Sequence, residues 1–302
     1  MISRVPEAGF AALVELLRGR RIVVLAGAGC STESGIPDYR GPAGSLRRRA
    51  PIQYQEFVRS LEGRQRYWAR SAVGWPRFTA ARPNAAHRAL AQLEAVGALR
   101  GVITQNVDGL HHAAGSRRVV ELHGSLAWVR CLECGSRVRR AALQQRLLAM
   151  NVGWTERLRS AADAVRIESA PDGDAELPPA ALTSFRVPDC ADCRGLLKPD
   201  VVFFGENVPR ERVDEAWRLF HEADVLLVVG SSLAVYSGRR FVYMARDTGL
   251  PVAVVNLGPT RADEMAAVKV EGSVGVLLPR LAEELGAPHT ATLPAPRPFS
   301  KM

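Results

Sequence analysis

Six short apolar runs punctuate the chain, at residues 22–26, 101–104, 119–122, 201–204, 225–229 and 252–256. Most are continuous rather than alternating, the pattern of parallel strands covered on both faces. Between them lie segments with apolar residues at helical spacing, 85–96, 210–222 and 239–248. The opening 1–19 segment reads as a short amphipathic helix with Phe10, Leu13, Val14, Leu16 and Leu17 apolar. Strands alternating with helices predict an α/β, Rossmann-like, doubly wound parallel sheet. Ligands of such a sheet collect at the carboxyl ends of its strands.

Two segments interrupt the alternation. Residues 41–83 are rich in Arg and aromatic side chains (Tyr54, Phe57, Tyr67, Trp68, Trp75, Phe78) and read as a helical module. Residues 128–196 carry two cysteine pairs, with a polar Pro- and Asp-containing loop at 169–179 between them. The end of the chain, 286–302, is Pro-rich with small residues and is expected to be disordered.

Composition narrows the classes. The chain has 302 residues and a formal charge of +9, yet Lys198, Lys269 and Lys301 are its only lysines. The arginine pairs Arg20-Arg21, Arg117-Arg118 and Arg139-Arg140 and the triplet 47–49 are scattered rather than clustered with aromatics. That argues against specific nucleic-acid binding. No apolar run approaches the roughly 18 residues of a membrane span, so no membrane partner is expected. The Arg-, Ala- and Gly-rich usage suggests a cytoplasmic protein of a high-GC bacterium, or one of the mitochondrial matrix if a presequence lay upstream. Five cysteines and no secretory signal fit a reducing compartment.

Four motifs carry chemistry. The first is Gly27-Ala-Gly-Cys-Ser-Thr-Glu-Ser-Gly-Ile-Pro-Asp-Tyr-Arg40, directly after the first strand. Small residues and a Ser/Thr-rich helix start suit a pyrophosphate, although Thr32 occupies the place of the third glycine of the usual dinucleotide fingerprint. The second is the pair Cys131-x-x-Cys134 and Cys190-x-x-Cys193, with Gly135 and Gly195 just past each. Four thiolates leave no open position, so the zinc they would hold is structural. Thr104-Gln-Asn-Val-Asp108 and Glu121-Leu-His-Gly124 are weaker, each compatible with an ordinary turn or a structural histidine. At a ligand edge, however, a histidine can serve as a base near neutral pH.

Taken in order, these motifs together with Lys198-Pro-Asp-Val-Val-Phe-Phe-Gly-Glu206 and Gly230-Ser-Ser232 resemble the sirtuins, NAD-dependent protein-lysine deacylases, over residues 10–285. Arg64-Gln-Arg-Tyr-Trp-Ala-Arg70, 73–76, 170–174, 235–237 and 258–261 look like the class II, sirtuin-4-like branch. The resemblance implies one catalytic region, 1–285, with a Rossmann-like part (10–40, 84–127, 197–285), the helical module 41–83 and a zinc-binding domain 128–196. It implies that NAD and one structural zinc are the cofactors and that acylated-lysine proteins or peptides are the partners. Acyl transfer from lysine to ADP-ribose, with release of nicotinamide, would rest on His123, Asn106 and Asp108. NAD would be held by Gly27, Ala28, Gly29, Ser31, Ile36, Pro37, Asp38, Tyr39, Arg40, Gln105, Asn106, Val107 and Asp108. Its adenosine end would meet Gly230, Ser231, Ser232, Asn256, Leu257, Gly258 and Val274. The peptide would add as a strand along Val202, Phe203, Phe204, Gly205 and Glu206, opposite Leu233. Tyr67 and Arg70 resemble the pair with which succinyl-preferring sirtuins bind a distal carboxylate, which would favour glutaryl or 3-hydroxy-3-methylglutaryl groups. The bland alternative, Tyr67 in packing and Arg70 capping a helix, stays open. So do protein mono-ADP-ribosylation at the same NAD site and a non-catalytic NAD-sensing role. The loop at 170–179 would approach the active-site entrance. Cys30 reads as a buried small hydrophobe, with a redox-sensitive thiol as the minor alternative.

Overall fold

The computed structural model describes residues 7–39, 51–154, 177, 182 and 184–286. Arg40, the arginine triplet 47–49, the 286–302 tail beyond Gly286 and, apart from Leu177, the 170–179 loop lie outside the described residues. The chain divides into two compact units. The first comprises the described residues of Met1–Gly35, Arg82–Leu122 and Val208–Met302; the second comprises those of Ile36–Ala81 and His123–Asn207.

The first unit is built on strands β1 (Ile22–Ala26), β2 (Leu99–Thr104) and β3 (Val119–Glu121). After the chain returns from the second unit it adds Val225–Val229, Val252–Asn256 and Val268–Glu271. All six pair in parallel. In spatial order they run β3, β2, β1, then the three later strands in sequence. This is the doubly wound order, with its reversal between Ile22–Ala26 and Val225–Val229. Alternate residues of β1 serve two cores. Ile22, Val24 and Ala26 join Phe10, Leu13, Leu90, Leu93, Leu277 and Leu281 from three helices. Val23 and Leu25 join Leu219, Phe220, Phe241 and Val242 from two others. Every residue of Ile22–Ala26, Val225–Val229 and Val252–Asn256 is buried, which is why these runs read as uninterrupted apolar sequence.

The second unit contains β4 (Gly124–Cys131), β5 (Arg137–Arg139) and β6 (Leu197–Val201), paired antiparallel in the order β5-β4-β6. Helices Tyr54–Arg59, Leu61–Ala80 and Arg140–Met150 accompany it. This corrects the expectation of a strand at 201–204 in the parallel sheet. The strand ends at Val201 and belongs to the antiparallel sheet, and Phe204 makes only an isolated bridge to Gln53. The apolar run 201–204 reflects aromatic packing instead: Phe203 lies 5.2 Å from both Phe57 and Tyr67, centroid to centroid. Among the described residues no helix is long and apolar enough to cross a membrane.

Candidate functional site

In the first unit the loops after β1 and after Val225–Val229 meet where the strand order reverses. Gly27 N–H donates to Val229 O at 3.0 Å, and Gly29 N–H donates to Gly230 O at 2.8 Å. A Cβ on Gly27 would sit 2.7 Å from Ser231 Cβ, and one on Gly29 would sit 2.9 Å from Gly230 O. Gly230 is left-handed at φ +57°, and a Cβ there would sit 2.6 Å from Cys30 N. Thus the glycines are demanded first by the close approach of two backbone loops, before any ligand arrives. The expected helix start after Gly29 is instead two single 3₁₀ turns, Ala28–Cys30 and Thr32–Ser34. Thr32, in the place of a third glycine, donates its hydroxyl to Gly29 O at 3.0 Å and braces the turn.

Polar side chains from the end of β2 are tied to this loop. Gln105 N–H donates to Ala26 O at 2.9 Å, and its side-chain amide donates to Ser231 Oγ at 2.9 Å. Asn106 Nδ2 donates to Gly27 O at 3.0 Å and to Ser31 Oγ at 3.2 Å. Ser31 in turn donates to Asp108 Oδ2 at 2.6 Å, while Leu110 N–H donates to Asp108 Oδ1 at 2.9 Å. Burial pushes the Asp108 carboxyl upward, against these two hydrogen bonds, which favour its ionised form. Gly27, Gly29, Ser31, Gln105, Asn106, Asp108, Gly230 and Ser231 therefore form one connected edge. Leu233 follows Ser231 in a left-handed conformation, φ +55°. Asn256 closes the end of its strand by donating to the carbonyls of Leu257 and Gly258, both at 3.1 Å. Val274 is buried at the start of helix Val274–Glu284.

The second unit holds the remaining described candidates. Tyr39 meets Phe204 edge-on at 6.1 Å. His123 is the first residue of this unit after β3, and its carbonyl accepts from Val202 N–H at 2.8 Å. In the segment that follows, Lys198 Nζ pairs with Glu206 Oε2 at 2.9 Å, and Glu206 also accepts from Phe203 N–H at 2.8 Å. Phe204 O accepts from Tyr54 N–H at 2.9 Å. Tyr67 and Arg70 are both buried on helix Leu61–Ala80. The Tyr67 ring lies 5.5 Å from Phe57 and 5.1 Å from Trp68. A second buried arginine on this helix's neighbour, Arg140, stands over Trp75 at 4.7 Å and bonds to Ser71 and Gln144. Its position in a run of surface-like arginines gave no hint of burial.

The four pair cysteines converge, each offering a sulfur within 4.8 Å of the others. Cys131 and Cys193 Sγ are 3.5 Å apart, and Cys134 and Cys190 Sγ 3.8 Å apart. Tetrahedral zinc with Zn–S bonds near 2.3 Å requires sulfur separations of about 3.8 Å. The donor set fits one structural zinc. The two knuckles share a turn: Gly135 N–H donates to Cys131 O at 3.1 Å, and Arg194 N–H donates to Cys190 O at 3.1 Å. Gly135 and Arg194 are the left-handed residues, at φ +74° and +66°. Gly195 therefore has another reason to be glycine. A Cβ there would collide with the Glu133 carboxylate, which accepts from Leu196 N–H at 2.5 Å and links the two knuckles.

One group was missed by sequence reasoning. Asn84 caps helix Ala85–Ala95 and also donates to Cys30 O at 2.8 Å and to Ser34 Oγ at 3.1 Å, holding the glycine loop from behind. The Asn84-x-x-His87 spacing of a capping box was its only sequence signal.

A Sir2 family profile matches residues 27–237. An "NAD-dependent protein deacetylase" of Xanthomonas campestris pv. campestris is 54% identical over 275 residues, covering 91% of each chain. The bovine "NAD-dependent protein lipoamidase sirtuin-4, mitochondrial" is 49% identical over 263 residues, covering 86% of this chain and 81% of that one. A Sir2 structure with a deacetylated p53 peptide and 3′-O-acetyl ADP ribose is similar at TM-score 0.70 and 31% identity, covering 92% of this chain and 99% of that one.

Proposed function

The chain belongs to the Sir2 family, and from that premise we propose that it is an NAD-dependent protein-lysine deacylase of the class II, sirtuin-4-like kind. It transfers acyl groups from lysine to ADP-ribose, with acylated peptides or proteins as substrates. The observation that carries this reading is the Asn106–Ser31–Asp108 network on the glycine loop. A hydride-transferring site has no need of a carboxamide and a carboxylate fixed beside the pyrophosphate loop. A site that uses NAD as an ADP-ribosyl donor does.

NAD supplies an anomeric carbon with nicotinamide as its leaving group. The loop glycines with Ser31, Ser231 and Ser232 hold the phosphates and adenosine ribose, together with Asn256, Leu257, Gly258 and Val274. Gln105, Asn106, Val107 and Asp108, with Ile36, Pro37, Asp38, Tyr39 and Arg40, shape the nicotinamide ribose end. His123 would take the proton from a ribose hydroxyl, the general-base role open to an imidazole. Residues Val202–Glu206 and Leu233 bind the peptide backbone. The Lys198–Glu206 pair fixes the first of these segments, since Glu206 holds both a cation and Phe203 N–H. In domain terms 41–83 is the helical module and 128–196 the zinc-binding domain.

The acyl preference is for a distal carboxylate, bound by Arg70 with Tyr67. The support is that Arg70 is a buried cation on the helix whose Tyr67 ring packs on Phe203 of the peptide-binding segment. Acetyl-, glutaryl-, 3-hydroxy-3-methylglutaryl- and lipoyl-lysine peptides, turned over with NAD and read for nicotinamide release, test it. Arg70→Met is expected to lower the glutaryl-to-acetyl ratio of kcat/KM roughly tenfold or more, the loss of one bidentate ion pair. An unchanged ratio sinks the carboxylate pocket. His123→Ala is expected to abolish nicotinamide release, and retained turnover would remove His123 from the mechanism. With labelled NAD, label found as acyl-ADP-ribose supports the deacylase, whereas label on protein supports mono-ADP-ribosylation.

A further inference from the structure

Cys30 lies between Gly29 and Ser31 of the glycine loop, and the deacylase reading gives it no task. Its thiol is fully buried, and it faces two fully buried histidines from separate elements. His87 lies in the first turn of helix Ala85–Ala95, and His111 lies in the short helix Leu110–Ala113. One ligand atom from each of Cys30, His87 and His111 lies within 4.8 Å of the other two. The imidazole rings are 4.8 Å apart and steeply inclined, so they do not stack on each other.

Three nitrogens in this group lack any hydrogen-bond partner. His87 Nδ1 is engaged with Asn84, but His87 Nε2 and both nitrogens of His111 are buried without one. Each imidazole carries one N–H, and an unpaired buried donor or acceptor costs about 1–3 kcal/mol. A packing role would be served better by apolar side chains. A soft sulfur and two imidazole nitrogens, all desolvated, are the donor set of a thiophilic d¹⁰ cation.

We propose that Cys30, His87 and His111 form a second metal site, distinct from the four-cysteine zinc site, that binds a single copper(I) ion. Charge and coordination number select the metal. Copper(I) is satisfied by three ligands, and with one thiolate it makes a neutral centre, which a fully buried apolar setting tolerates. Zinc(II) requires a fourth ligand and would leave a net positive charge where burial is most costly. On binding, the Cys30 S–H bond is exchanged for an S–Cu bond and the thiol proton leaves to solvent, with no change of oxidation state. His87 ligates through Nε2, since its Nδ1 is held by Asn84. That contact acts as the outer partner which fixes the ring of a metal-bound histidine.

The test uses the zinc-loaded protein, kept anaerobic and offered copper(I) as its bicinchoninate complex, then desalted and assayed for both metals. Wild type is expected to retain about one copper per chain with its zinc undiminished, and Cys30→Ser less than roughly a tenth of that, as loss of the only thiolate ligand dictates. X-ray absorption on the copper-loaded wild type is expected to report one sulfur and two nitrogen neighbours, a readout independent of how the variant folds. Equal copper in wild type and Cys30→Ser overturns the site. So does copper gained only as zinc is lost, with sulfur neighbours alone, because that is substitution at the four-cysteine knuckles.

Discussion

In the six-stranded unit, Ile22–Ala26, Val225–Val229 and Val252–Asn256 are buried from end to end, between two layers of helices. In the cysteine-bearing unit, β5 is mostly exposed and β4 mixes buried positions with half-buried ones and the exposed Arg130. The first unit places its polar edge, Gln105 to Asp108, by growing it from an apolar frame in which each buried Val, Leu or Ile contributes about 1.5–3 kcal/mol. In the second, the described residues of the small sheet bury only Leu126, Val129, Leu197 and Val201 among their branched aliphatic side chains, and four sulfurs close the knuckles beside it. The same task, fixing groups at strand ends, is done by hydrophobic area in one unit and by a metal crosslink in the other. Removing a single component should therefore have unlike effects in the two.

Zinc removal is the strongest way to break the comparison. Structural zinc contributes on the order of 10 kcal/mol at neutral pH. Stripping it with a chelator, or replacing Cys190 by Ser, is expected to abolish hydrogen-exchange protection of the β4 and β6 amides. The β1 amides should stay protected in the same sample. If protection is lost equally in β1, the two units do not hold themselves by different means.

A backbone change sharpens the other half. Gly230→Ala places a methyl group 2.6 Å from Cys30 N and 2.8 Å from Gly29 C, with φ at +57°. The obstacles are backbone atoms of the facing loop rather than the far end of a flexible side chain. The cost should be about 2–4 kcal/mol, from overpacking plus the left-handed penalty. Denaturant unfolding measures it, and NAD affinity should fall in the same variant. A cost below roughly 0.5 kcal/mol, the level of an ordinary surface substitution, would mean that the two loops are not in rigid contact.

Legibility in the sequence divides along the same line. Strands Ile22–Ala26, Val225–Val229 and Val252–Asn256 were readable because they are buried by almost wholly apolar runs, whereas β6, buried throughout but carrying Lys198, Pro199 and Asp200, was not. Strands β4, β5 and Val268–Glu271 were not, because half-exposed residues leave no such run. The run 201–204 misled for the opposite reason: Phe203 is buried by an aromatic cluster rather than by sheet pairing. Motifs local in the chain were legible, including the glycine loop, Gln105–Asp108 and both cysteine pairs. The Cys30–His87–His111 group was not, since its three donors come from three elements. Each alone reads as a small hydrophobe, a helix cap or a turn residue. The loop glycines read in the sequence as room for a ligand, and the structure gives them a further reason in Gly230 and Ser231, some two hundred residues away in the chain.

Asp108 gives the smallest effect and the finest test, because frame and function pull on it in opposite directions. Burial raises its folded-state pKa above the unfolded value. Between those two values the unfolded state binds fewer protons than the folded one, so stability falls as pH rises through that window. Above it the carboxylate is ionised in both states, and its burial is a constant liability of the apolar frame. Asp108→Asn keeps an oxygen for Leu110 N–H and presents an amide to Ser31 Oγ, so both existing contacts can be replaced without a charge. The variant should melt at a higher temperature than wild type at pH 7–8. The advantage should shrink on acidification, as wild-type Asp108 protonates. Nicotinamide release should drop in the same protein. A more stable, less active variant would mean that the unit's edge carries a charge its frame disfavours, as a working site does. A variant less stable at every pH would assign Asp108 to the frame itself, through a Ser31 contact that only a carboxylate can make.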